Sequence, residues 1–309
     1  MIVNPRSRNG ATARRWSPIE KKLRHALGHL EVEFTRGPRD AERIAREGVR
    51  AGVERVIVAG GDGTLSEVVT GLLSADLGGY AKIGVLPLGT GGDFTRTFGV
   101  SNEIDAAIER LIEGETRIID AGRVSYRASD GREANRYFAN VASLGLSALV
   151  DGFVNQSTKA LGGRASFLIG TIRGLIRYRR EPVSIRVDGE LVFEGPLVLA
   201  AVANGQFFGG GMRVAPNALL DDGWLDWVLV PELSNNLLLS RLRIVCKLGL
   251  LYRGSHIFDR QIFHGRGRVI EADGSTDRVC LEVDGEPLGT LPARIELVPD
   301  AITLFGCRS

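Results

Sequence analysis

The chain has 309 residues, enough for one large domain or two ordinary ones, each with its own core. Hydrophobic residues make up 44% of it and charged residues 25%, the balance of a globular protein that folds in water. A formal net charge of only +2 excludes a strongly basic nucleic-acid-binding protein. The three cysteines are widely spaced and form no CxxC pair, which argues against a disulfide framework or a zinc site.

Two further features bear on location. No apolar run reaches about 18 residues, so the sequence predicts no membrane-spanning helix. The apolar start "MIV" is too short for a secretory signal. We therefore expect a soluble, cytoplasmic protein.

Short apolar runs alternate with helical patterns through residues 1–120. In chain order the patterns predict a strand at 1–4, a helix at 14–27, a strand at 30–35, a helix at 40–52, a strand at 55–60, a helix at 65–73, a strand at 82–88 and a helix at 104–112. Strands that alternate with helices indicate a layered α/β domain with a mostly parallel sheet.

The pattern changes near residue 121, where short β-type runs separated by turn residues begin to dominate. These runs lie at 183–187, 191–193, 197–203, 225–230, 269–271, 279–283 and 293–297. Their spacing predicts an antiparallel β sandwich or barrel, so we place a domain boundary at 120/121 and a second domain over 121–297.

The stretch "VIVAGGDGTLSEVV" at 56–69 joins a buried strand to a helix through three glycines and Asp62. A glycine-rich turn before a helix presents backbone N–H groups to phosphate. Asp62 would repel phosphate by itself, but it suits Mg²⁺ binding or proton handling near a transferred group. The alternative is a tight turn in which the aspartate caps the following helix.

A second glycine-rich turn, "PLGTGGDFTRTFG" at 87–99, also follows a strand and carries Thr90, Asp93 and Arg96. Ligands of open α/β sheets bind at the carboxyl ends of the strands, so both loops are expected on one rim of the sheet. The sequence has no GxxxxGK[ST] motif, which excludes a P-loop NTPase.

Several ordered motifs resemble those of the bacterial diacylglycerol kinase-like lipid kinases, whose catalytic domain is shared with sphingosine and ceramide kinases. The nucleotide-binding motifs are "NPRSRNG" (4–10), "GGDGTLSEVV" (60–69) and "PLGTGGDFTR" (87–96). The match continues with "NVASLGLSALV" (140–150), "NGQFFGGGMRVAPNALLDDGWLD" (204–226) and "LEVDGEPL" (281–288). The resemblance implies a phosphofructokinase-like α/β nucleotide-binding domain followed by an antiparallel β-sandwich domain, with residues 298–309 packing back onto the first.

The resemblance also implies ATP and Mg²⁺ as cofactors and assigns their contacts. The implied ATP-binding residues are Asn4, Pro5, Ser7, Gly10, Thr35, Gly60, Gly61, Asp62, Gly63, Thr64, Leu65, Ser66, Gly89 and Thr90. The implied structural Mg²⁺ site uses the backbone carbonyls of Leu219 and Trp224 and the carboxylate of Asp222.

The implied catalytic residues are Asp62, Asp93 and Glu286, with Arg96 suited to a phosphate oxygen. Glu286 stands where the family places the base that accepts the proton of the lipid hydroxyl. Without the resemblance, "DGE" at 284–286 reads only as a hairpin turn between two strand-like runs.

The chain departs from the family pattern at two loop positions, where Ser66 and Gly92 replace asparagines. The loss of two amides removes hydrogen-bonding groups near the phosphate and the acceptor. Because both loop aspartates remain, we expect altered specificity rather than lost chemistry.

Two stretches without acidic residues, 152–180 with six basic residues and 234–258 with four, carry apolar and cationic residues at helical spacing. Such helices suit the surface of an anionic membrane. The alternative is a core-facing helix with a solvated basic rim. The expected partner is therefore a lipid substrate at a membrane surface, met by peripheral contact; no nucleic-acid partner is expected and a homodimer is left open.

The predicted function is ATP- and Mg²⁺-dependent phosphorylation of a lipid hydroxyl, with diacylglycerol as the default acceptor. A sphingoid base, ceramide or phosphatidylglycerol stays open as acceptor. NAD kinase is an alternative because its GGDGT loop is similar, although the further asparagine-glycine motif that usually follows is missing here. A regulator that binds lipid or nucleotide without catalysis is the third candidate, motivated by Ser66 and Gly92.

Overall fold

The computed structural model describes residues 1–99, 103–113, 115–128, 130–145, 181–232, 237–274 and 278–307. The chain divides into two compact units. Unit 1 comprises Met1–Ala121 and Pro299–Ser309, and unit 2 comprises Gly122–Val298. Unit 1 is an α/β domain and unit 2 is rich in antiparallel strands.

Unit 1 is built on a parallel sheet. In spatial order its strands are β2 (Glu33–Phe34), β1 (Ile2–Val3), β3 (Arg55–Gly60), β4 (Lys82–Pro87) and the final residues of β14 (Glu286–Phe305). Thr303 is in register with Lys82, so the C-terminal residues add a strand to this sheet. The central strands are buried along nearly their whole length, as expected for a parallel sheet covered by helices.

The helices of unit 1 bury apolar residues spaced three or four apart. They are α1 (Ser7–Leu27), α2 (Asp40–Arg50), α3 (Asp62–Leu73), α4 (Asp93–Thr97) and α5 (Ile104–Glu113). Trp16, Ile19 and Leu23 of α1 enter one core cluster with Leu111 of α5 and Ile57 of β3. Helices α1 and α5 therefore share one core with the central strand β3. Helix α2 packs closely against α3.

Unit 2 consists largely of antiparallel strands. They are β6 (Glu133–Phe138), β7 (Val141–Gly145), β8 (Pro182–Val187), β9 (Glu190–Ala203), β10 (Leu225–Pro231), β11 (Phe263–Gly267), β12 (Val269–Gly274), β13 (Cys280–Val283) and the first part of β14. A further strand, β5 (Thr116–Ala128), begins in unit 1 and continues into unit 2 from Gly122 onward. Helix α6 (Leu237–Arg253) and a 3₁₀ turn (Ser255–Phe258) separate β10 from β11.

Two long strands of unit 2 change partners along their length. Residues 190–196 of β9 pair with β8, whereas residues 199–203 pair with β7 and residues 197–203 pair with β10. Residues 286–290 of β14 pair with β13, and residues 293–296 pair with β12. The strands β9, β7, β13, β14, β12 and β8 thereby form a closed ring of antiparallel pairs around a buried apolar cluster.

Most predicted elements of unit 1 appear within a few residues of their expected positions. Helix α4 was not predicted, because its five residues lie in a stretch whose glycines indicated only a turn. The runs predicted at 191–193 and 197–203 form one strand, β9, and several strands of unit 2 were missed. The first acid-free stretch, 152–180, lies outside the described residues. The second, 234–258, contains helix α6. In the part of the chain that is described, no helix has the length and apolarity needed to cross a membrane.

Candidate active site

Three loops of unit 1 leave the carboxyl ends of neighbouring parallel strands. The loops begin at Asn4 after β1, at Gly61 after β3 and at Leu88 after β4. Backbone hydrogen bonds continue just beyond the strands, from Asn4 N to Ala59 O (2.9 Å) and from Leu88 N to Gly60 O (2.9 Å). The two glycine loops and the "NPRSRNG" loop therefore lie at one edge of the sheet, where open α/β sheets bind their ligands.

The two glycine loops approach each other backbone to backbone. A Cβ atom added to Gly89 would lie 2.3 Å from the Cα of Gly61, and one added to Gly91 would lie 2.8 Å from Asp62 Oδ2. The contact at Gly89 is with backbone and leaves no space for a side chain, whereas a side chain at Gly91 would displace the carboxylate of Asp62. Glycine is required at position 89 because the second loop packs against the first.

Asp62 joins the two loops through its carboxylate. Oδ2 accepts a hydrogen bond from the backbone N–H of Asp93 (3.1 Å), and Oδ1 accepts one from Phe94 (3.2 Å). These two N–H groups open helix α4, so Asp62 caps a helix that begins 31 residues later. We call this pair of hydrogen bonds the Asp62 clamp. The sequence also allowed Asp62 to cap the helix that follows it, which is α3. In the structure Asp62 does cap a helix, but that helix is α4.

Asp93 is the most buried acid of the loops, with 6% of its surface exposed. Its Oδ1 accepts a hydrogen bond from Arg96 Nη1 at 2.7 Å, one turn along α4. The side chain of Arg96 is 32% exposed, so its guanidinium is accessible to an anionic ligand as well as to Asp93. The loop thus holds an acid and a cation together at the edge of the sheet.

The first loop contacts both glycine loops. Asn4 Nδ2 donates to Thr64 Oγ1 (2.9 Å), and Arg8 Nε donates to the carbonyl of Gly89 (3.0 Å). Arg8 and Asn9 adopt positive φ angles of 50° and 55°, which L-residues seldom adopt. Sequence reasoning did not single out Arg8, although it lies within the "NPRSRNG" motif.

The residues assigned to ATP by resemblance differ in accessibility. Gly61, Asp62 and Gly63 are half-buried and Thr90 is exposed, whereas the other members of the first glycine loop are buried. Ser66 is 1% exposed, and its hydroxyl has no hydrogen-bond partner among the described atoms. Thr35 is buried beside β1 and its backbone N–H donates to Val3 O at 2.9 Å.

A cleft of about 600 Å³ runs along α1 and borders the loops of unit 1. This volume lies within the range of small-molecule sites, about 300–1,000 Å³. The side chains that line it include Arg8, Thr12, Arg14, Arg15, Lys22, Leu88, Glu103 and Asp105. Four of them are basic and two are acidic, and Lys22 is ion-paired with Asp105, so the cleft carries a positive balance of charge.

Glu286 lies in unit 2, at the start of β14. The hairpin turn before it has Asp284 and Gly285 at φ of 48° and 84°, as in a type I′ turn. Glu286 Oε2 accepts a hydrogen bond from Arg136 Nη2 at 3.0 Å. The Arg136 side chain is 6% exposed, whereas that of Glu286 is 37% exposed. Arg136 carries no motif signal, and sequence reasoning missed it.

The residues assigned to structural Mg²⁺ lie in the turn before β10 of unit 2. Asp222 Oδ1 accepts a hydrogen bond from Trp224 N (3.2 Å), and Oδ2 is ion-paired with Arg266 Nη1 at 3.1 Å. The latter contact lacks the geometry of a hydrogen bond. The guanidinium of Arg268 lies 4.7 Å from the centroid of a Trp224 ring. Across the described parts of the chain, no cluster of three or more acidic, histidine or cysteine side chains suits a metal.

Comparison with known proteins covers both units. Residues 1–124 match the family model of the diacylglycerol kinase catalytic domain, and residues 140–306 match that of the YegS C-terminal NAD kinase beta sandwich-like domain. A Shewanella frigidimarina protein named probable lipid kinase YegS-like is 34% identical over 89% of this chain and 84% of its own.

A Bacillus subtilis protein named diacylglycerol kinase is 30% identical, with 94% of this chain and 90% of its own covered. A crystal structure of a diacylglycerol kinase from Bacillus anthracis superposes with a TM-score of 0.70 at 26% identity. That superposition covers 98% of this chain and 94% of the other.

Proposed function

The chain belongs to the diacylglycerol kinase-like family of lipid kinases, and from this premise we propose that it transfers the γ-phosphate of ATP to a lipid hydroxyl. Diacylglycerol is the proposed acceptor and phosphatidic acid the product. Relatives named diacylglycerol kinase support this choice, at about 30% identity over nearly the whole chain. Mg²⁺ would accompany the ATP phosphates, as phosphoryl transfer requires charge neutralisation.

The Asp62 clamp is the single observation that best supports the proposal. It fixes two glycine loops against each other at the edge of a parallel sheet where open α/β sheets bind their ligands. Asp93 and Arg96 lie at that edge as an ion pair. Arg96 would bind a phosphate oxygen, and Asp93 would hold Mg²⁺ or a proton at the transferred group.

Glu286 is the proposed general base for the lipid hydroxyl. Its carboxylate is accessible and is held from one side by the buried Arg136. A positioned carboxylate that accepts a proton contributes typically about 10²–10⁴-fold to a rate. Arg136 would act as a positioning residue, because it contacts Glu286 and is itself buried.

The test is a kinase assay with purified protein, labelled ATP, Mg²⁺ and a panel of acceptors in mixed micelles. The panel contains diacylglycerol, a sphingoid base, ceramide and phosphatidylglycerol, with NAD as a soluble acceptor. We expect label to enter diacylglycerol preferentially. Preference for another lipid would revise the acceptor, whereas label in NAD alone would overturn the lipid kinase proposal.

The chain supplies a matched control for Glu286. The sequence "VDGE" occurs twice, at 187–190 and 283–286, and in both copies the valine pairs with the glutamate across the hairpin. Glu286→Ala should lower turnover at least about 100-fold, whereas Glu190→Ala should leave it unchanged. Equal activity of the two variants would remove Glu286 from the mechanism. No transfer to any acceptor, with ATP still bound, would favour a binding protein without catalysis.

A further inference from the structure

Arg266 occupies the acidic turn of unit 2 to which the family resemblance assigns Mg²⁺. Its Nη1 lies 3.1 Å from Asp222 Oδ2, and its Nε lies 3.5 Å from Asp226 Oδ1. Its Nη2 donates a hydrogen bond to the carbonyl of Asn217 at 3.0 Å. One guanidinium therefore contacts two carboxylates and a loop carbonyl, the oxygen types that bind a divalent cation.

The strand pairing places Arg266 at this position. Asp226 of β10 and Arg266 of β11 are directly opposite each other in the antiparallel register. Directly paired residues on neighbouring strands project to the same face of the sheet, so the arginine is held beside the acids by backbone geometry. The Nε of the nearby Arg268 donates a hydrogen bond to the carbonyl of Gly223 (3.3 Å), so a second arginine also contacts this turn.

The two acids need a positive charge. The side chains of Asp222 and Asp226 are only 18% and 14% exposed. Both carboxylates contact the same guanidinium, and like charges that share one site repel unless a cation lies between them.

The turn does not suit Mg²⁺ as it stands. Of the proposed ligands only Asp222 carries a charge. Its Oδ1 accepts a hydrogen bond from Trp224 N, and its Oδ2 is ion-paired with Arg266 without the geometry of a hydrogen bond. A divalent cation would have to displace a guanidinium that is always protonated, or bind beside it against charge repulsion. We propose that Arg266 is the resident cation of the turn at residues 217–226 and replaces the structural Mg²⁺ that the resemblance implies.

Thermal unfolding of the full chain tests the proposal, with no nucleotide or lipid present, so the outcome does not depend on the proposed function. Wild-type protein should melt at the same temperature in EDTA and in millimolar Mg²⁺. Arg266→Ala should melt at least about 3 °C lower in EDTA, and Mg²⁺ should restore part of the loss. In the Arg266→Ala background, Asp222→Asn should abolish that response to Mg²⁺.

Arg294→Ala is the matched control, because Arg294 forms ion pairs with Glu271 and Glu296 elsewhere in unit 2. Its melting temperature should not respond to Mg²⁺. Binding of Mn²⁺, followed by electron paramagnetic resonance, provides a second measurement. Arg266→Ala should gain one site that wild type lacks, and Asp222→Asn should remove it.

Wild type and Asp222→Asn together can refute the proposal, even if Arg266→Ala fails to fold. A Mg²⁺-dependent rise in the wild-type melting temperature that Asp222→Asn abolishes would show that the metal, not the arginine, serves this turn. If Arg266→Ala melts at the same temperature as wild type in EDTA, the proposal is also wrong.

Discussion

The carboxylate of Asp62 accepts a hydrogen bond from the backbone N–H of Asp93, 31 residues further along the chain. The bond links the loop after β3 to the loop after β4. A second hydrogen bond, from Phe94 N to the other carboxylate oxygen, links the same two loops. An acid in a phosphate-type loop is thereby explained without any ligand, because the carboxylate caps helix α4. Any contact of Asp62 with Mg²⁺ must be compatible with this structural role.

Asp62→Asn should destabilise unit 1. The side-chain amide keeps one acceptor but turns its NH₂ group towards a backbone N–H, so one hydrogen bond is replaced by two facing donors. Loss of one such bond to a charged acceptor should lower the free energy of unfolding by about 1–3 kcal/mol. Urea unfolding followed by circular dichroism measures the change.

Asp76→Asn is the control for this prediction. Asp76 is exposed and lies at a φ of 56°, a conformation that asparagine also tolerates. The unfolding free energy of Asp76→Asn should stay within about 0.5 kcal/mol of the wild-type value. If Asp62→Asn is no less stable than Asp76→Asn, the clamp contributes nothing measurable.

Asp93→Asn should lower the turnover rate much more than it weakens the binding of ATP. The substitution removes the charge that faces Arg96 at 2.7 Å while it keeps the shape of the side chain. Given the proposed function, turnover should fall at least about 100-fold and the Kd for ATP should change less than about threefold. Steady-state kinetics and a fluorescent nucleotide titration separate the two quantities.

The exposed Asp76 provides the comparison for Asp93, since Asp76→Asn should leave turnover unchanged. Near-wild-type turnover of Asp93→Asn would exclude Asp93 from the mechanism.

Two glycines in helices of unit 1 should respond oppositely to replacement by alanine. A Cβ on Gly71 of α3 would lie 2.4 Å from the backbone oxygen of Glu42, where α2 packs on α3, whereas a Cβ on Gly48 of α2 meets nothing nearer than 3.8 Å. Gly71→Ala should therefore cost about 1–3 kcal/mol of unfolding free energy. Gly48→Ala should add about 0.5–1 kcal/mol, because alanine favours the helix.

Chemical denaturation of both variants checks the ordering. A Gly71→Ala variant as stable as Gly48→Ala would mean that α2 and α3 move apart at little cost.

The loops of unit 1 were predictable because their signals are local. A strand, a glycine-rich turn and a helix are contiguous in sequence, and adjacent parallel strands bring Asp62 and Asp93 to the same edge. The contacts that complete the sites are not local. Arg136 reaches Glu286 across 150 residues, and Arg266 reaches the turn through strand pairing that the sequence does not specify.

The repeated "VDGE" shows the limit of local reasoning most directly. Both copies form a hairpin turn with Asp and Gly at positive φ, so the tetrapeptide determines the turn. The glutamates nevertheless differ, since Glu190 is exposed whereas Glu286 is paired with the buried Arg136. Only the tertiary structure and the family resemblance distinguish them, which explains why "DGE" alone indicated no more than a turn.

The buried His256 should make the stability of unit 2 depend on pH. It lies in the 3₁₀ turn Ser255–Phe258 with 0% of its surface exposed. Burial lowers the pKa of His256, an effect only partly opposed by backbone contacts with Val214 and Leu250. The folded protein therefore resists protonation that the unfolded chain accepts below about pH 6.5.

The sign of the dependence follows from this difference. Because the folded-state pKa is lowered, the stability contribution is fully present above about pH 6.5 and is lost as the pH falls through the folded-state pKa. The slope from this one group cannot exceed about 1.4 kcal/mol per pH unit. His256→Gln, which cannot be protonated, should flatten the decline in unfolding free energy below about pH 6.5.

Urea unfolding at a series of pH values measures the slope for wild type, His256→Gln and a control, His25→Gln. His25 is exposed on α1, and its replacement should leave the slope as it is in wild type. If His256→Gln retains the full wild-type slope, the acid sensitivity originates in other groups, such as the carboxylates of the ion pairs, and the buried histidine is protonated without cost to the fold.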